Sequence, residues 1–185
     1  MLKKDILKIK AWIRKSDVID GILFGSSARG NINPKDFDLC ILIDDSEEKN
    51  SLELIESLSL ITDSLFEKYH INILKSSSFL SGNTLAKTLI SEGYSLKQDK
   101  QFSEVFGFHS KSMFRYSLRH YTPSQRVRFH YLLNGRYGNI GILKETQGIL
   151  VSNGVIVVPN SKEDLLKSVL DQWNVKYEII RTLSS

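Results

Sequence analysis

The sequence contains a single cysteine, Cys40, among 185 residues. One thiol cannot form a disulfide within the chain, and structural disulfides belong mainly to oxidising compartments. Cys40 itself lies in an apolar segment, which favours a small buried packing residue. The scarcity of cysteine predicts a protein of a reducing compartment, and we expect a cytoplasmic location.

Long apolar runs are also missing from the sequence. No segment approaches the roughly 18–20 apolar residues that a membrane-spanning helix needs, and the first residues, 1–5, lack the apolar core of a secretory signal. Hydrophobic residues make up 41% of the chain and charged residues 25%, which is ordinary for globular proteins. We expect no membrane contact, and a core buried in one medium domain or two small ones.

Acidic residues are absent between Phe108 and Lys144, although seven basic residues fall in that interval. Residues 1–97 carry 13 Lys and Arg against 14 Asp and Glu, a net charge of −1. Residues 98–185 carry 12 against 7, a net charge of +5. The basic segment is either a solvated face or a surface for polyanions.

A glycine-rich turn precedes two acidic residues that share one strand. The turn spans residues 25–30 (Gly-Ser-Ser-Ala-Arg-Gly), and Asp36 and Asp38 come just before the apolar run 39–43. Side chains alternate along a strand, so the two carboxylates point the same way. Backbone amides of such a turn, opening into a short helix near Ser27, hold phosphate, and Mg²⁺ binds one or two carboxylates plus substrate phosphates. These residues predict a site for a metal–nucleotide complex.

A purely structural interpretation of the same residues is also open. Gly25 and Gly30 permit a sharp turn between strand and helix, and Asp36 ends the loop 31–34. This interpretation leaves Asp38 unexplained, because a carboxylate entering an apolar run costs stability unless it is paired or bound to a metal.

The order of these motifs resembles the signature of the DNA polymerase beta-like nucleotidyltransferases, and within them the small branch called minimal nucleotidyltransferases. The resemblance covers roughly residues 1–97 and implies an α+β fold, a small mixed β-sheet with helices. It implies that Asp36 and Asp38 bind Mg²⁺ (or Mn²⁺) and that an NTP such as ATP is the substrate. The residues that it assigns to the nucleotide are Gly25, Ser26, Arg29 and Gly30.

The third carboxylate of that family is missing from its expected strand. The strand 70–74 carries Asn72 between two isoleucines, where the family has an acid. Asn72 is neutral and cannot accept a proton, so the resemblance predicts weaker metal binding and no general base at this position. His70, two residues away on the same face, is either a substitute base or ligand or an ordinary strand histidine. Nucleotide binding is therefore better supported than catalysis.

Helices and strands are predicted to alternate in the first half of the chain. A polar stretch at 97–101 predicts the boundary, so the predicted domains are 1–97 and 98–185. The expected sheet is packed on one side by helices. Apolar spacing predicts helices over 2–15, over 46–69 (with Leu52, Ile55, Leu58, Ile61 and Leu65 as its stripe) and, after the serines at 76–78, to about residue 92. It predicts strands over 18–24, 36–43, 70–74 and, at an edge, 94–96.

The second half is predicted to form a second, smaller α+β unit. Thr122-Pro123 predicts a helix start, with Gly135 ending that helix, and Asn153-Gly154 predicts a hairpin. The remaining predictions are a helix over 110–121 with Lys111, Arg115 and Arg119 on one face, hairpin strands over 148–152 and 155–158, a helix over 161–173 and a strand over 175–183.

Aromatic residues alternate with the cations of this half. Such mixtures hold RNA or DNA single strands, with cations on phosphates and rings on bases; equally, Phe114, Phe129 and Tyr131 are core and the cations cover a solvated face. The arginines at 126, 128 and 136 instead clamp a triphosphate in a third interpretation, because arginine binds phosphate in a bidentate way. The predicted nucleic-acid or phosphate contacts are Lys111, Arg115, Arg119, Arg126, Arg128 and Arg136.

Two hypotheses of different classes follow. In the first, the chain is a Mg²⁺-dependent nucleotidyltransferase that moves an NMP from an NTP to a hydroxyl of RNA or protein. Its catalytic residues are Asp36 and Asp38, with Asn72 at the third position. In the second, it is a catalytically silent module of the same fold that binds nucleic acid or a regulatory partner. The resemblance implies one such partner role, that of an antitoxin-like protein beside a helical toxin.

Overall fold

The structure, a computed structural model, describes residues 2–31, 36–61 and 69–185. The chain divides into two compact units. The first holds the described residues of 1–28 and 33–108, and the second those of 29–32 and 109–185. The division at Phe108 falls later in the chain than the boundary expected at residue 97, because the short elements that follow residue 99 pair with the first unit.

The first unit contains short helices around one sheet. None of them, and no other helix in the ranges described, has the length and apolar character needed to cross a membrane. Its helices are α1 (Leu2–Lys15), α2 (Ser51–Ser59), α3 (Ser76–Leu80), α4 (Thr84–Glu92) and α5 (Phe102–Val105), and its strands are β1 (Asp20–Phe24), β2 (Phe37–Ile43), β3 (Tyr69–Lys75), β4 (Tyr94–Ser95) and β5 (Lys100–Gln101).

The sheet of the first unit is mixed, as the sequence predicted. Its strand order is β3-β2-β1-β4-β5, with β2 and β3 parallel and the other pairs antiparallel. Strand β4 pairs on both sides and so is not the edge strand predicted over 94–96. Cys40 is fully enclosed in the core, as expected of a packing residue. Its burial raises the pKa of the thiol to about 12.

Helices cover both faces of this sheet, so the prediction of a sheet packed on one side was wrong. Ile9 of α1 and Leu58 of α2 pack against Leu39 on one face. Leu89 of α4 packs with Cys40 on the other. Because β2 is apolar at odd and even positions alike, both of its sides need cover, which is typical of strands buried between two layers.

The long helix predicted over 46–69 begins later than expected. Asp45–Asn50 form a 3₁₀ turn, and α2 starts at Ser51. Residues 62–68, including Leu65, lie outside the described part of the chain. Of the predicted apolar stripe, Leu58 and Ile61 pack on the core as expected, whereas Leu52 is 72% exposed. The side chains that pack on the core are Leu54, Leu58 and Ile61.

The helix predicted after the serines at 76–78 is two helices, and the first of them already includes those serines. The turn between α3 and α4 contains Gly82, whose φ is +71°. The side chain of Asn83 accepts a hydrogen bond from the Ala86 N–H (2.8 Å) and so caps α4. A cap and a left-handed glycine are helix-boundary signals, and here they fall inside the predicted helix.

The second unit is a four-stranded antiparallel sheet with helices packed on one face. Phe129 and Leu133 from α6 and Leu166 and Leu170 from α8 form its core. Its elements are β6 (His109–Ser117), α6 (Pro123–Asn134), α7 (Ile142–Glu145), β7 (Ile149–Ser152), β8 (Val155–Pro159), α8 (Glu163–Gln172) and β9 (Lys176–Ser184), in the sheet order β7-β8-β6-β9.

The segment predicted as a helix over 110–121 is the strand β6 in its first part, so that prediction was wrong. Ser112 and Phe114 are buried, whereas Lys111 and Arg115 lie on the opposite face. A spacing of four residues fits one turn of a helix and also two periods of a strand. The hairpin at Asn153-Gly154 forms as predicted, between β7 and β8.

A capping box opens α6, as the Thr122-Pro123 pair predicted. Thr122 Oγ1 accepts from the Gln125 N–H (3.3 Å), and Gln125 Oε1 accepts from the Thr122 N–H (2.8 Å). Thr122→Ala should therefore lower the free energy of unfolding by about 1 kcal/mol. The measurement is urea unfolding in a Trp12→Phe background, where Trp173 of the second unit is the one remaining tryptophan. Ser124→Ala, on the same exposed turn, should change stability by less than about 0.5 kcal/mol; equal losses in both variants would contradict a capping role.

Candidate functional site

The glycine-rich turn begins directly at the end of β1. Gly25–Ser27 form a 3₁₀ turn rather than the start of the short helix that was predicted there. Gly25 has φ +71°, and a Cβ at this position would collide with Oδ2 of Asp38. Only glycine tolerates both constraints easily, so the backbone of the turn passes beside a carboxylate.

The two predicted carboxylates lie at the start of β2. Antiparallel pairing places Phe24, the last residue of β1, opposite Asp38. The side chain of Asp38 is 35% exposed, on the sheet face that carries Cys40 deeper in the core. Asp36 lies in the bend just before β2 and is exposed to solvent. Both carboxylates are therefore accessible from solvent at the same end of one strand.

The neighbour of Asp38 on β3 is His70. The parallel register pairs Asp38 with His70 and Cys40 with Asn72, and His70 Nδ1 lies 3.5 Å from Asp38 Oδ1. Asn72 is exposed and lies two residues further along the strand, about 7 Å away. The sequence placed Asn72 at the third-acid position, but the register brings His70 nearest to the carboxylate. The spacing of residues along one strand carries no signal for this register.

The donors at this end of β2 suit a hard divalent cation that arrives with phosphate. Within residues 2–31, 36–61 and 69–185, no three His, Cys, Asp or Glu side chains group to hold a metal. Asp36 and Asp38 are a pair, and Mg²⁺ commonly uses one or two carboxylates, several waters and substrate phosphates. Because Gly25 has no Cβ, the backbone of the turn lies directly beside Asp38 Oδ2. The residues present fit the ion that the resemblance implies.

The later part of the glycine-rich turn is built into the second unit. Arg29 Nε lies 3.4 Å from Glu163 Oε1 and 3.6 Å from Asp164 Oδ1, and the Arg29 carbonyl accepts from the Asp164 N–H (3.1 Å). Gly30 has φ +88°, and a Cβ there would collide with the carbonyl of Ser161. These contacts give Arg29 and Gly30 structural partners, and their contact with a nucleotide stays a prediction.

Glu163 is a buried acid whose position in the sequence indicates only the start of a helix. It accepts hydrogen bonds from Ser112 Oγ (2.6 Å) and from Arg181 (2.7 and 2.9 Å). Burial would raise the pKa of Glu163, but the hydrogen bonds from Arg181 and Ser112 and the charges of Arg181 and Arg29 outweigh it, so the pKa is lowered. The acid is therefore held as a carboxylate inside the second unit.

The six cations predicted to contact nucleic acid or phosphate do not form one surface strip. Lys111 and Arg115 lie on the outer face of β6, where Arg115 pairs with Glu178 (2.6 Å). Arg119 and Arg126 line one cavity, and Arg128 is exposed on α6.

The remaining predicted cation, Arg136, lies between two tyrosine rings. Its guanidinium carbon is 4.3 Å from the ring centres of Tyr131 and Tyr137. Tyr131 is partly buried and Tyr137 is 86% exposed, whereas Phe114 and Phe129 are core, as one interpretation proposed.

Comparison with known families identifies the first half of the chain. Residues 4–90 match the family model described as a nucleotidyltransferase domain. This range contains the turn at Gly25, both carboxylates and the strand of His70 and Asn72. The match supports the nucleotidyltransferase superfamily for the N-terminal half. No curated protein and no solved structure matches the chain.

The approach of Gly25 to Asp38 can be tested against a glycine of the same conformation. Gly82 also has φ +71°, but a Cβ there meets nothing within 4 Å. Gly82→Ala should cost about 1 kcal/mol of unfolding free energy for the left-handed backbone alone. Gly25→Ala should cost more than about 2 kcal/mol, because Asp38 must also move. Urea unfolding in a Trp173→Phe background reports on the first unit through Trp12; equal costs would refute the close approach.

The Glu163 network predicts a pH-dependent stability of the second unit. Because the folded pKa of Glu163 is lowered, its stabilisation is fully present above the ordinary value of 4.5 and is lost as pH falls through the folded pKa. Glu163→Gln should lower the free energy of unfolding by about 2–3 kcal/mol at pH 7. The difference in unfolding free energy between the variant and the native chain should be smaller near pH 3.5. Trp173 fluorescence provides the measurement, and Glu145→Gln, exposed in the same unit, should show neither effect. A gap that is the same at both pH values would overturn this assignment.

Proposed function

We propose that the first unit transfers a nucleoside monophosphate from an NTP to a hydroxyl acceptor on RNA or protein, with Mg²⁺ or Mn²⁺ held by Asp36 and Asp38. One observation carries the proposal. Inside a nucleotidyltransferase domain, a backbone turn that must be glycine passes beside a solvent-accessible carboxylate. A phosphate group and a divalent ion need those two features side by side.

The proposal gives each residue a physical task. The backbone of Gly25 and Ser26 holds the β- and γ-phosphates, since a 3₁₀ turn presents successive amides. Asp36 supplies a carboxylate from the bend before β2, and Asp38 supplies one from β2 itself, a strand that is buried on both faces. When bound, the divalent ion supplies charge neutralisation at the phosphates being separated.

In the proposed transfer, the acceptor hydroxyl is the nucleophile and pyrophosphate is the leaving group. The acceptor oxygen forms a bond to the α-phosphorus, the bond from that phosphorus to the bridging oxygen breaks, and pyrophosphate leaves. The acceptor proton passes to solvent, because Asn72 offers no base. His70, 3.5 Å from Asp38, holds that carboxylate toward β3. We expect slow turnover from a site with two acids instead of three.

Transfer of label tests the proposal directly. The protein is incubated with each α-labelled NTP, Mg²⁺ or Mn²⁺, and total RNA or lysate protein. Asp38→Asn should lower transfer more than about 100-fold, since loss of even an indirect metal partner costs 10–100-fold. Asp17→Asn removes the same charge at an exposed position of the first unit and should leave transfer unchanged. Equal activity of the Asp38→Asn variant and the native chain would exclude the mechanism.

Asn72 favours a second candidate, a silent nucleotidyltransferase fold that binds nucleic acid. This candidate predicts no labelled macromolecule with any NTP, together with RNA or DNA binding that weakens as salt rises. Asn72→Asp restores a carboxylate on β3 and should then raise metal-dependent NTP binding. Label transfer by the native chain decides for the enzyme.

A further inference from the structure

A cavity of about 450 Å³ lies within the second unit, and none of the residues assigned to transfer lines it. Helix α6 forms one wall with Arg126, Phe129, His130 and Leu133. Their spacing of three, four and seven residues puts them on one helix face. The opposite wall comes from the end of β6 and from the turn of the β7–β8 hairpin. The volume is within the range of small-molecule sites, about 300–1,000 Å³.

The lining of this cavity changes from apolar to cationic toward solvent. Phe129 and Leu133 are buried at its base, and the Tyr116 ring meets Phe129 edge-on with ring centres 5.6 Å apart. Arg119, Arg126 and His130 are exposed around it. None of the described residues that line the cavity is acidic. A flat apolar group at the base and an anion at the mouth are the complementary ligand features.

We propose that this cavity binds a nucleotide, with the base against the partly exposed Tyr116 ring and the phosphate on Arg119 and Arg126. Arginine binds phosphate through paired N–H groups, and aromatic side chains stack on any base. The ligand is a free nucleoside monophosphate or the phosphorylated end of a single-stranded RNA, since both have this chemistry. Binding here stands apart from transfer at the first unit, because it needs neither a metal nor an NTP.

A second feature of α6 favours an RNA end over a protein anion. Just past the helix, the Arg136 guanidinium and the Tyr131 and Tyr137 rings form a stack with 4.3 Å separations, and Tyr137 is 86% exposed. Stacked planar groups on an exposed surface suit a further base of a strand, whereas an acidic peptide offers charge without a flat ring.

The test is equilibrium binding of the full chain in EDTA, so that no metal loads the first unit. The probes are a 5′-phosphorylated RNA hexamer labelled at its 3′ end, AMP, and ribose 5-phosphate, which lacks the base. Arg119→Ala and Arg126→Ala should each weaken binding of RNA or AMP at least about 10-fold, and each should lower the salt slope of RNA binding by about 1. Lys167→Ala removes an exposed cation of α8 outside the cavity, and it should weaken binding less than about 2-fold. Ribose 5-phosphate should bind at least about 10-fold more weakly than AMP, because it cannot stack.

The binding results distinguish a free nucleotide from an RNA end as the ligand, and they also show whether the cavity binds either of them. AMP binding as tightly as the hexamer supports a free nucleotide, and tighter hexamer binding supports an RNA end. Equal losses for Arg126→Ala and Lys167→Ala, displacement by polyglutamate as effective as by RNA, or no binding of both the hexamer and AMP would overturn the site. None of these results depends on label transfer, so the binding proposal and the proposed transferase activity are tested independently.

Discussion

The backbone of Gly25 lies against the carboxylate of Asp38, and the pairing of the strands in the first unit fixes this contact. Pairing of Phe24 with Asp38 fixes where the turn begins, and the left-handed φ of Gly25 directs the chain past the side chain instead of into it. Strand β2 is buried on both faces beyond Asp38, so the carboxylate projects from the end of a strand that is enclosed in the core. The proposed roles of the turn in holding phosphate and of Asp38 in binding metal need such fixed placement, since small displacements weaken a site.

Local signals in the sequence predicted much of this fold. The apolar run after Asp38 predicted β2, the threonine and proline at 122 and 123 predicted the start of α6, and Asn153-Gly154 predicted the β7–β8 hairpin. Each of these depends on residues adjacent in sequence, whose conformational preferences survive folding. The turn and its carboxylates were recognisable for the same reason, because their order along the chain is itself the motif.

Features that depend on pairing between distant residues could not be predicted. The cations of β6 repeat every four residues, which a helix and a strand both satisfy, and only the partners on β8 and β9 decide for a strand. His70 faces Asp38 because of a parallel register that no pattern within β3 specifies. Burial of Glu163 depends on Arg181 and Ser112, which lie 18 and 51 residues away in sequence. Sequence spacing alone does not report such contacts.

The second unit takes three described residues, 29–31, from a part of the chain that is synthesised long before residue 109. Its internal network joins Arg29 to Glu163, so the ribosome must synthesise the chain as far as residue 163 before both partners are present. One proteolytic cut after Phe108 would not liberate the second unit intact, because its early segment would remain with the other fragment. The two halves are thus interleaved along the polypeptide, and evolution cannot exchange one of them by a single recombination point.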